Sequence, residues 1–133
     1  MATIDPSRES FSQLFVKTAP DKPVTMLNLL RFKERAEYTP ERQETPCTGR
    51  EAYARYTANA LKAVQAAGGM VLWQGRACHA LVAPADEVWD DVLLVQYPNA
   101  AAFMDMVRSP GYQAFVHHRS AGLADARLIA MQQ

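Results

Sequence analysis

The segment WDDVLLVQYPNAAAFMDMVRSPGYQAFVHHR, residues 89–119, predicts the fold more strongly than any other part of this chain. Its apolar run ends at Pro98, which has no backbone donor and therefore terminates a strand. Asn99 and Ser109 stand where side-chain oxygens cap helices, and Pro110 occupies a favoured first helical position. The segment therefore predicts a strand, a helix and a second capped helix in immediate succession.

Upstream of this block, a helix and a strand are predicted before a polar stretch. Asp5 is a candidate cap for an N-terminal helix over about residues 6–17. Residues 24–32 are apolar on both faces of a predicted strand, which is typical of a strand buried on both sides. Residues 33–48 are polar, and we expect an insertion that is either a surface loop or a lid over a binding site.

A second helix and three more strands complete the predicted elements. Thr48 and Glu51 match the capping-box pattern at a helix start, and Gly68 follows the expected end of that helix. Gly75, inside the next strand, indicates a bulge or a close backbone approach. The three strands are predicted over residues 70–82, 88–97 and 126–131.

The order of these elements predicts a single α+β domain over residues 1–133. After the N-terminal helix, strand–helix–strand–strand–helix–strand is the split βαβ pattern of ferredoxin-like domains. Helices then cover one face of a four-stranded antiparallel sheet. Because large apolar patches are rare on soluble monomers, we expect the open face to pair with a second copy. The result would be a dimeric α/β barrel with a ligand cavity either between sheet and helices or near the dimer seam.

Composition excludes several classes of partner. Lysine and arginine number 14 and balance the 14 acidic residues, whereas nucleic-acid binding needs a basic surplus. No apolar run approaches the roughly 20 residues that span a bilayer, and the N-terminus lacks a signal-peptide pattern. Cys47 and Cys78 are interpreted as free thiols. We therefore expect a cytoplasmic protein that binds neither nucleic acid nor membrane.

Six short motifs occur between the first and last strands. They are MLNLLRF at 26–32, Gly68-Gly69, Trp89-Asp90, Tyr97-Pro98, SPGY at 109–112 and HRSAGL at 118–123. In combination they resemble the DUF1330 family of the dimeric α/β barrel superfamily, over roughly residues 24–131. The resemblance implies the fold and a homodimer, but no catalytic residues, because the family has no established function.

Asn28 is the first candidate for chemistry, because it interrupts an apolar strand. A buried amide is costly without partners, so it either pins the sheet to its surroundings or holds a ligand oxygen. Some members of the superfamily, cofactor-free quinol monooxygenases and haem-degrading enzymes, use a strand asparagine with a tryptophan. Asn28 with Trp73 or Trp89 is similar to that pairing in kind.

The adjacent His117 and His118 give the second candidate. They lie about 100° apart on a helix, so we expect only one of them to face a given pocket. His118 is proposed as a catalytic base or an axial haem ligand, with a packing histidine as the alternative. Neither helical i, i+4 spacing nor neighbouring acidic residues accompany the histidines, so no metal site is predicted.

Arginine and aromatic side chains supply the remaining ligand-binding candidates. Arg31 and Arg119 are expected either to pair with Asp90 or to bind a ligand carboxylate, which arginine holds through two hydrogen bonds. The full set of ligand-binding candidates is Arg31, Tyr53, Trp73, Arg76, Trp89, Tyr97, Tyr112 and Arg119. The sequence carries no phosphate-binding glycine motif, so no cofactor is expected.

Three functions fit these residues. The first is a cofactor-free oxygenase- or isomerase-like enzyme that acts on a small apolar or aromatic substrate through Asn28 and His118. The second is a non-catalytic ligand-binding or stress-related accessory homodimer. The third and weakest is a haem-binding protein.

Overall fold

The computed structural model describes residues 2–133. Its elements in chain order are α1 (Arg8–Lys17), β1 (Val24–Phe32), a short 3₁₀ helix (Pro40–Arg42), α2 (Gly49–Ala66), β2 (Met70–Arg76), β3 (Asp91–Tyr97), α3 (Ala100–Arg108), α4 (Pro110–Gln113), α5 (Val116–Gly122) and β4 (Leu123–Met131). The four strands form one antiparallel sheet in the order β2-β3-β1-β4. This order confirms the predicted α+β, ferredoxin-like fold.

The predicted helix caps are present and explain where α2, α3 and α4 begin. Thr48 accepts a hydrogen bond from the Glu51 amide at 3.1 Å, and the Glu51 carboxylate accepts one from the Thr48 amide at 2.9 Å. Asn99 and Ser109 likewise accept from amides three residues ahead, at 2.8 and 3.2 Å. Each bond satisfies a donor that a helix start would otherwise leave unpaired.

Several predicted boundaries are wrong. Ser7, not Asp5, caps α1, because Asp5 contacts Arg119 instead. The strand predicted over 70–82 ends at Arg76 and the one predicted over 88–97 begins at Asp91, because these two residues form the last pair of their ladder.

The C-terminal elements also differ from their predicted bounds. The helix after Ser109 is divided into α4 and α5 near Phe115. The last strand begins at Leu123 rather than residue 126, because its pairing with β1 extends to Phe32.

The two faces of the sheet differ in what covers them. On the helix-covered face, Val24, Met26 and Tyr97 are buried in the core. On the open face, Met70, Trp73 and Ile129 are 56%, 53% and 47% exposed. The sheet therefore has the uncovered apolar face that the sequence predicts.

Gly75 of β2 is approached by a side chain and not by backbone, so the predicted close backbone approach is wrong. A side chain at this position would collide with the indole ring of Trp73. The irregular pairing of β2 lies between Val71 and Trp73, so the bulge falls short of the glycine.

The polar insertion, residues 33–48, is tied to the end of α5. The amides of Lys33 and Glu37 donate to the carbonyls of Gly122 and Ala121, at 2.8 and 2.9 Å. Ala36 donates to the carbonyl of Cys47 at 2.9 Å, which joins the two limbs of the insertion. These bonds hold the insertion across α5 and bring its side chains next to that helix.

Candidate functional site

A cavity of about 920 Å³ lies between the sheet and the helices. We call it the central cavity; its walls include Met26, Asn28, Leu30, Tyr53, Asp91 and Phe103. The three β1 residues line it because alternate residues of a strand share one face. Its size lies within the range of ligand pockets in proteins, roughly 300–1,000 Å³.

A charged pair stands in the wall of the central cavity. Arg50 of α2 donates to Oδ2 of Asp91 at 3.0 Å, and its guanidinium lies 4.7 Å from the centre of the Phe32 ring. The other carboxylate oxygen, Oδ1, is buried and has no hydrogen-bond partner among residues 2–133. An unpaired buried acceptor is costly, so a donor that reached this oxygen would be favoured.

Asp91 was missed by the sequence analysis, although a signal for it exists. Counting back from Tyr97 in steps of two gives Val95, Leu93 and Asp91, which places the carboxylate on the helix-covered face of β3. Arg50 carried no comparable signal, because its role depends on where α2 crosses the sheet.

Asn28 lies in the central cavity beside these groups. Its amide nitrogen donates to the carbonyls of Met26 and Leu93 at 3.3 and 3.4 Å. Both distances are long for N–H···O bonds. The amide is therefore weakly held by the sheet and faces the cavity, which is compatible with either predicted role.

Buried tyrosines supply hydroxyl groups to the same cavity. The hydroxyls of Tyr56 and Tyr112 are hydrogen-bonded at 2.8 Å, and the rings of Tyr53 and Tyr56 lie 5.2 Å apart. Burial raises the pKa of Tyr53 to about 12, and it raises the pKa values of Tyr56, Tyr97 and Tyr112 as well. These phenols stay protonated near neutral pH and act as neutral hydrogen-bonding groups.

The structure brings six of the predicted site residues together. Those lining the central cavity are Asn28, Tyr53, Arg76, Tyr97, Tyr112 and Arg119. Arg119 is only 7% exposed and is already occupied, since it donates to the Ile4 carbonyl at 2.7 Å and to Asp5 at 3.3 Å. Its predicted partner, Asp90, instead accepts from the Phe32 amide at 2.8 Å.

Four predicted residues lie elsewhere. Trp73 packs over Gly75 on the open face, and Trp89 lies beneath the Arg127 guanidinium at 4.9 Å from its ring centre. The expected pairing of Asn28 with a tryptophan is therefore wrong. Arg31 is exposed near the end of β1. His118 lies outside the central cavity, so the predicted joint site of Asn28 and His118 is not formed.

A second group of polar residues, Tyr38, Glu44, His117 and His118, forms what we call the histidine cluster. Oε1 of Glu44 lies 3.2 Å from Nε2 of His117 and 4.0 Å from Nε2 of His118. The hydroxyl of Tyr38 lies 2.7 Å from Nδ1 of His118. Both histidines thus face one group, which contradicts the prediction that only one of them would.

Tertiary folding explains this convergence. The two imidazole rings lean together, with centres 4.1 Å apart, and the insertion lays Glu44 between them. An acidic neighbour 73 positions away in the sequence leaves no local signal. Tyr38 and Glu44 were missed for the same reason.

The histidine cluster is electrostatically coupled. Burial, followed by the neighbouring His117, lowers the pKa of His118. The hydrogen bond from His117 holds the pKa of Glu44 below its usual value. The neutral form of His118 is therefore favoured beside an ionised Glu44.

Known proteins share this architecture. The family model described as a domain of unknown function, DUF1330, matches residues 43–133, so the motif at 26–32 lies outside the matched range. A protein of unknown function from Rhodopseudomonas palustris is 40% identical, with a TM-score of 0.90 over 100% of this chain and 98% of that one. No curated protein matches this chain.

More distant structures share the fold alone. The hydroxynitrile lyase from Passiflora edulis is 12% identical, with a TM-score of 0.57 over 86% of this chain and 95% of that one. A dabb family protein with a ferredoxin-like fold from Mesorhizobium loti is 13% identical, with a TM-score of 0.53 over 84% and 96%. None of the helices within residues 2–133 has the length and apolar character needed to cross a bilayer. From the family match and the 40% identical relative, the chain belongs to the DUF1330 family.

Proposed function

We propose that the central cavity binds a small molecule with an apolar body and one hydrogen-bond donor. The observation that carries this proposal is the buried Oδ1 of Asp91, which lacks a partner within the described residues. The apolar walls would cover the body of the ligand, while a donor on the ligand would satisfy the carboxylate. Tyr53 and Asn28 stand in the same cavity as further polar anchors.

Three probes of similar size test this proposal: p-cresol, benzylamine and toluene. We expect the two probes with a donor to shift the amide NMR signals of Asn28, Asp91 and other cavity residues more than toluene does. Asp91→Asn should weaken the binding of p-cresol and benzylamine but leave the binding of toluene unchanged. The reason is that the amide no longer supplies a second free carboxylate oxygen. Asp86→Asn, on the turn between β2 and β3, is the matched control.

The proposal fails if none of the probes shifts a cavity residue. It also fails if Asp91→Asn and Asp86→Asn bind p-cresol as tightly as the natural chain does. In the second case the cavity would bind molecules through its apolar walls alone.

A second candidate function is proton transfer of the isomerase type, which the same carboxylate favours. Oδ1 of Asp91 would accept a proton from a carbon next to a carbonyl, and the resulting acid would return it to another carbon of the same molecule. No electrons leave the substrate, so no cofactor is needed. The hydroxyl of Tyr53, protonated at neutral pH, would donate to the developing oxyanion.

Conversion of cyclohex-3-enone to its conjugated isomer in deuterated water tests this second candidate. We expect a rate above that of the buffer, deuterium in the product, and loss of both in Asp91→Asn but not in Asp86→Asn. An Asp91→Asn variant as active as the natural chain would refute the role of the carboxylate. The oxygenase and haem alternatives both relied on His118, which lies outside the central cavity.

We further propose that the open face of the sheet pairs with the same face of a second copy. Met70, Trp73 and Ile129 expose apolar area there, and a two-fold axis brings identical apolar faces together. Analytical ultracentrifugation should show two chains at micromolar concentration. Trp73→Asp should give single chains, whereas Leu81→Asp, at a site 89% exposed outside the strands, should not. A natural chain that sediments as one copy would refute the pairing.

The state of the two cysteines supports our proposal that the protein works in the cytoplasm. Cys47 is buried, Cys78 is exposed, and both are free thiols. Reducing compartments keep thiols in this form. If cells are lysed in denaturant and an alkylating reagent is added at once, both cysteines should be labelled. If neither cysteine were labelled, this location would be contradicted.

A further inference from the structure

We propose that the histidine cluster is a binding site for a divalent transition-metal ion of the zinc type, held by Glu44, His117 and His118. The three side chains each offer one ligand atom, and these atoms lie within 4.8 Å of one another. Two imidazoles and one carboxylate form a ligand set found in zinc proteins, with room for a further ligand. This site is separate from the central cavity and does not depend on the function proposed for it.

The two distances from Glu44 to the histidines are close to those that an ion requires. Donors held about 2.1 Å from a tetrahedral zinc ion stand about 3.4 Å apart. The separation between Glu44 Oε1 and His117 Nε2 is 3.2 Å, and that between Glu44 Oε1 and His118 Nε2 is 4.0 Å. Rotation of the part-exposed Glu44 side chain, which lies on a loop, would adjust these two separations, and the two histidine nitrogens, within 4.8 Å of each other, would also have to approach.

Outer contacts orient the ligands. The Tyr38 hydroxyl lies 2.7 Å from Nδ1 of His118 and accepts a hydrogen bond in the tautomer that carries its proton on Nδ1, which leaves the lone pair of Nε2 facing Glu44. Arg55 donates to the same hydroxyl at 3.3 Å and uses one of its two acceptor positions. A hydrogen bond to the second ring nitrogen is the usual support of a metal-bound histidine.

The chemistry of the ligand atoms limits which ions suit the cluster. Imidazole ligands select zinc, cobalt, nickel or copper over calcium and magnesium, which prefer oxygen.

The charge balance at the site sets a limit on affinity. Glu44 provides one negative charge, and Arg55 lies 4.0 Å from it. The guanidinium competes with the ion for the carboxylate, so the site suits an ion that gains most of its binding from imidazole nitrogens. Closure around the ion would also fasten the polar insertion to α5, because Glu44 lies on the first and both histidines lie on the second.

Titration of untagged, chelator-stripped protein with Co²⁺, followed by competition with Zn²⁺, tests the proposal. We expect one ion per chain and visible absorption bands from cobalt. Glu44→Gln removes a ligand and should weaken cobalt binding by about 100-fold or more. Tyr38→Phe removes only an outer partner of His118 and should weaken cobalt binding about tenfold. His79→Asn changes an exposed histidine outside the cluster and should bind as the natural chain does.

Protease cleavage within residues 33–48 gives a second measurement. Zinc should slow this cleavage in the natural chain and in His79→Asn, but not in Glu44→Gln. If His117→Asn fails to fold by circular dichroism, Glu44→Gln still decides, because glutamine keeps the shape of the side chain. Equal affinity of the natural chain and Glu44→Gln, or cleavage that zinc does not change, would overturn the proposal.

Discussion

The central cavity and the histidine cluster are both polar sites, but different kinds of backbone position their side chains. Asn28 and Asp91 lie on neighbouring strands, in a ladder whose register fixes which way each residue faces. Glu44 lies on a polar insertion, and His117 and His118 lie on a helix of seven residues. Strand periodicity therefore makes the first site readable from the sequence, whereas only the packing of distant segments creates the second.

Leu123→Ala is expected to have the largest effect on stability, and it tests the packing that supports the central cavity. Leu123 is fully buried at the start of β4, so its loss leaves a void and should lower the free energy of unfolding by about 3 kcal/mol. Urea denaturation measures this change. Leu81→Ala, at a site 89% exposed, is the control and should have little effect. A loss under about 1 kcal/mol would mean that β4 repacks easily.

Gly122→Ala tests the contact between α2 and α5, the helix that carries the two histidines of the cluster. A methyl group there would collide with the carbonyl oxygen of Gly49 and lie 3.2 Å from the Cβ of Ala52, where α2 and α5 meet. Overpacking of this kind should cost about 2 kcal/mol, again by urea denaturation. Gly111→Ala has open space around it and should be neutral or slightly stabilising. Equal stability of Gly122→Ala and Gly111→Ala would show that α2 and α5 can move apart at little cost.

Alkaline pH should destabilise the fold through the buried phenols of the central cavity. Burial raises the pKa of Tyr53 from 10.0 to about 12, so the unfolded chain loses this proton first as the pH rises. Stability that is complete below pH 10 is then lost between about pH 10 and 12. Tyr53 alone should account for roughly 1 kcal/mol at pH 11.

Absorbance of tyrosinate against pH checks this prediction. The native protein should show little phenolate near pH 10, followed by a steep rise as it unfolds. A normal, gradual titration near pH 10 without unfolding would show that water reaches these phenols.

Glu44→Gln, in metal-free protein, is expected to have the smallest effect on stability. The amide can still bond to His117, and Glu44 belongs to a part-exposed network whose ion pairs contribute little in water. The midpoint of urea denaturation should match that of Glu41→Gln, an exposed control on the same insertion. A clearly lower midpoint would mean that the cluster holds the insertion without any ion.

Much of the fold was predictable because its signals are local. The caps at Thr48, Asn99 and Ser109 depend on contacts three residues away, and Pro98 ends β3 through its own missing donor. The strand ends were harder to predict, since β2 stops where its partner stops and not where its own composition changes.

The candidate sites were predictable only in part. Asn28 and the buried tyrosines stood out as polar groups in apolar surroundings, and they do line the central cavity. His118 was expected there too, yet the path of the insertion places it beside Tyr38 and Glu44. The direction of a side chain on a short helix depends on what packs against it, which no local pattern records.

Local patterns were sufficient for the order of elements, the helix caps and the apolar character of both sheet faces, because each follows from neighbouring residues. Three contacts became visible only in the folded chain: Arg50 pairs with Asp91, Arg119 binds the N-terminal segment, and Glu44 joins two histidines. Those contacts join residues 41 to 115 positions apart. Their formation depends on how the whole chain packs, and the chemistry proposed for this protein depends on them.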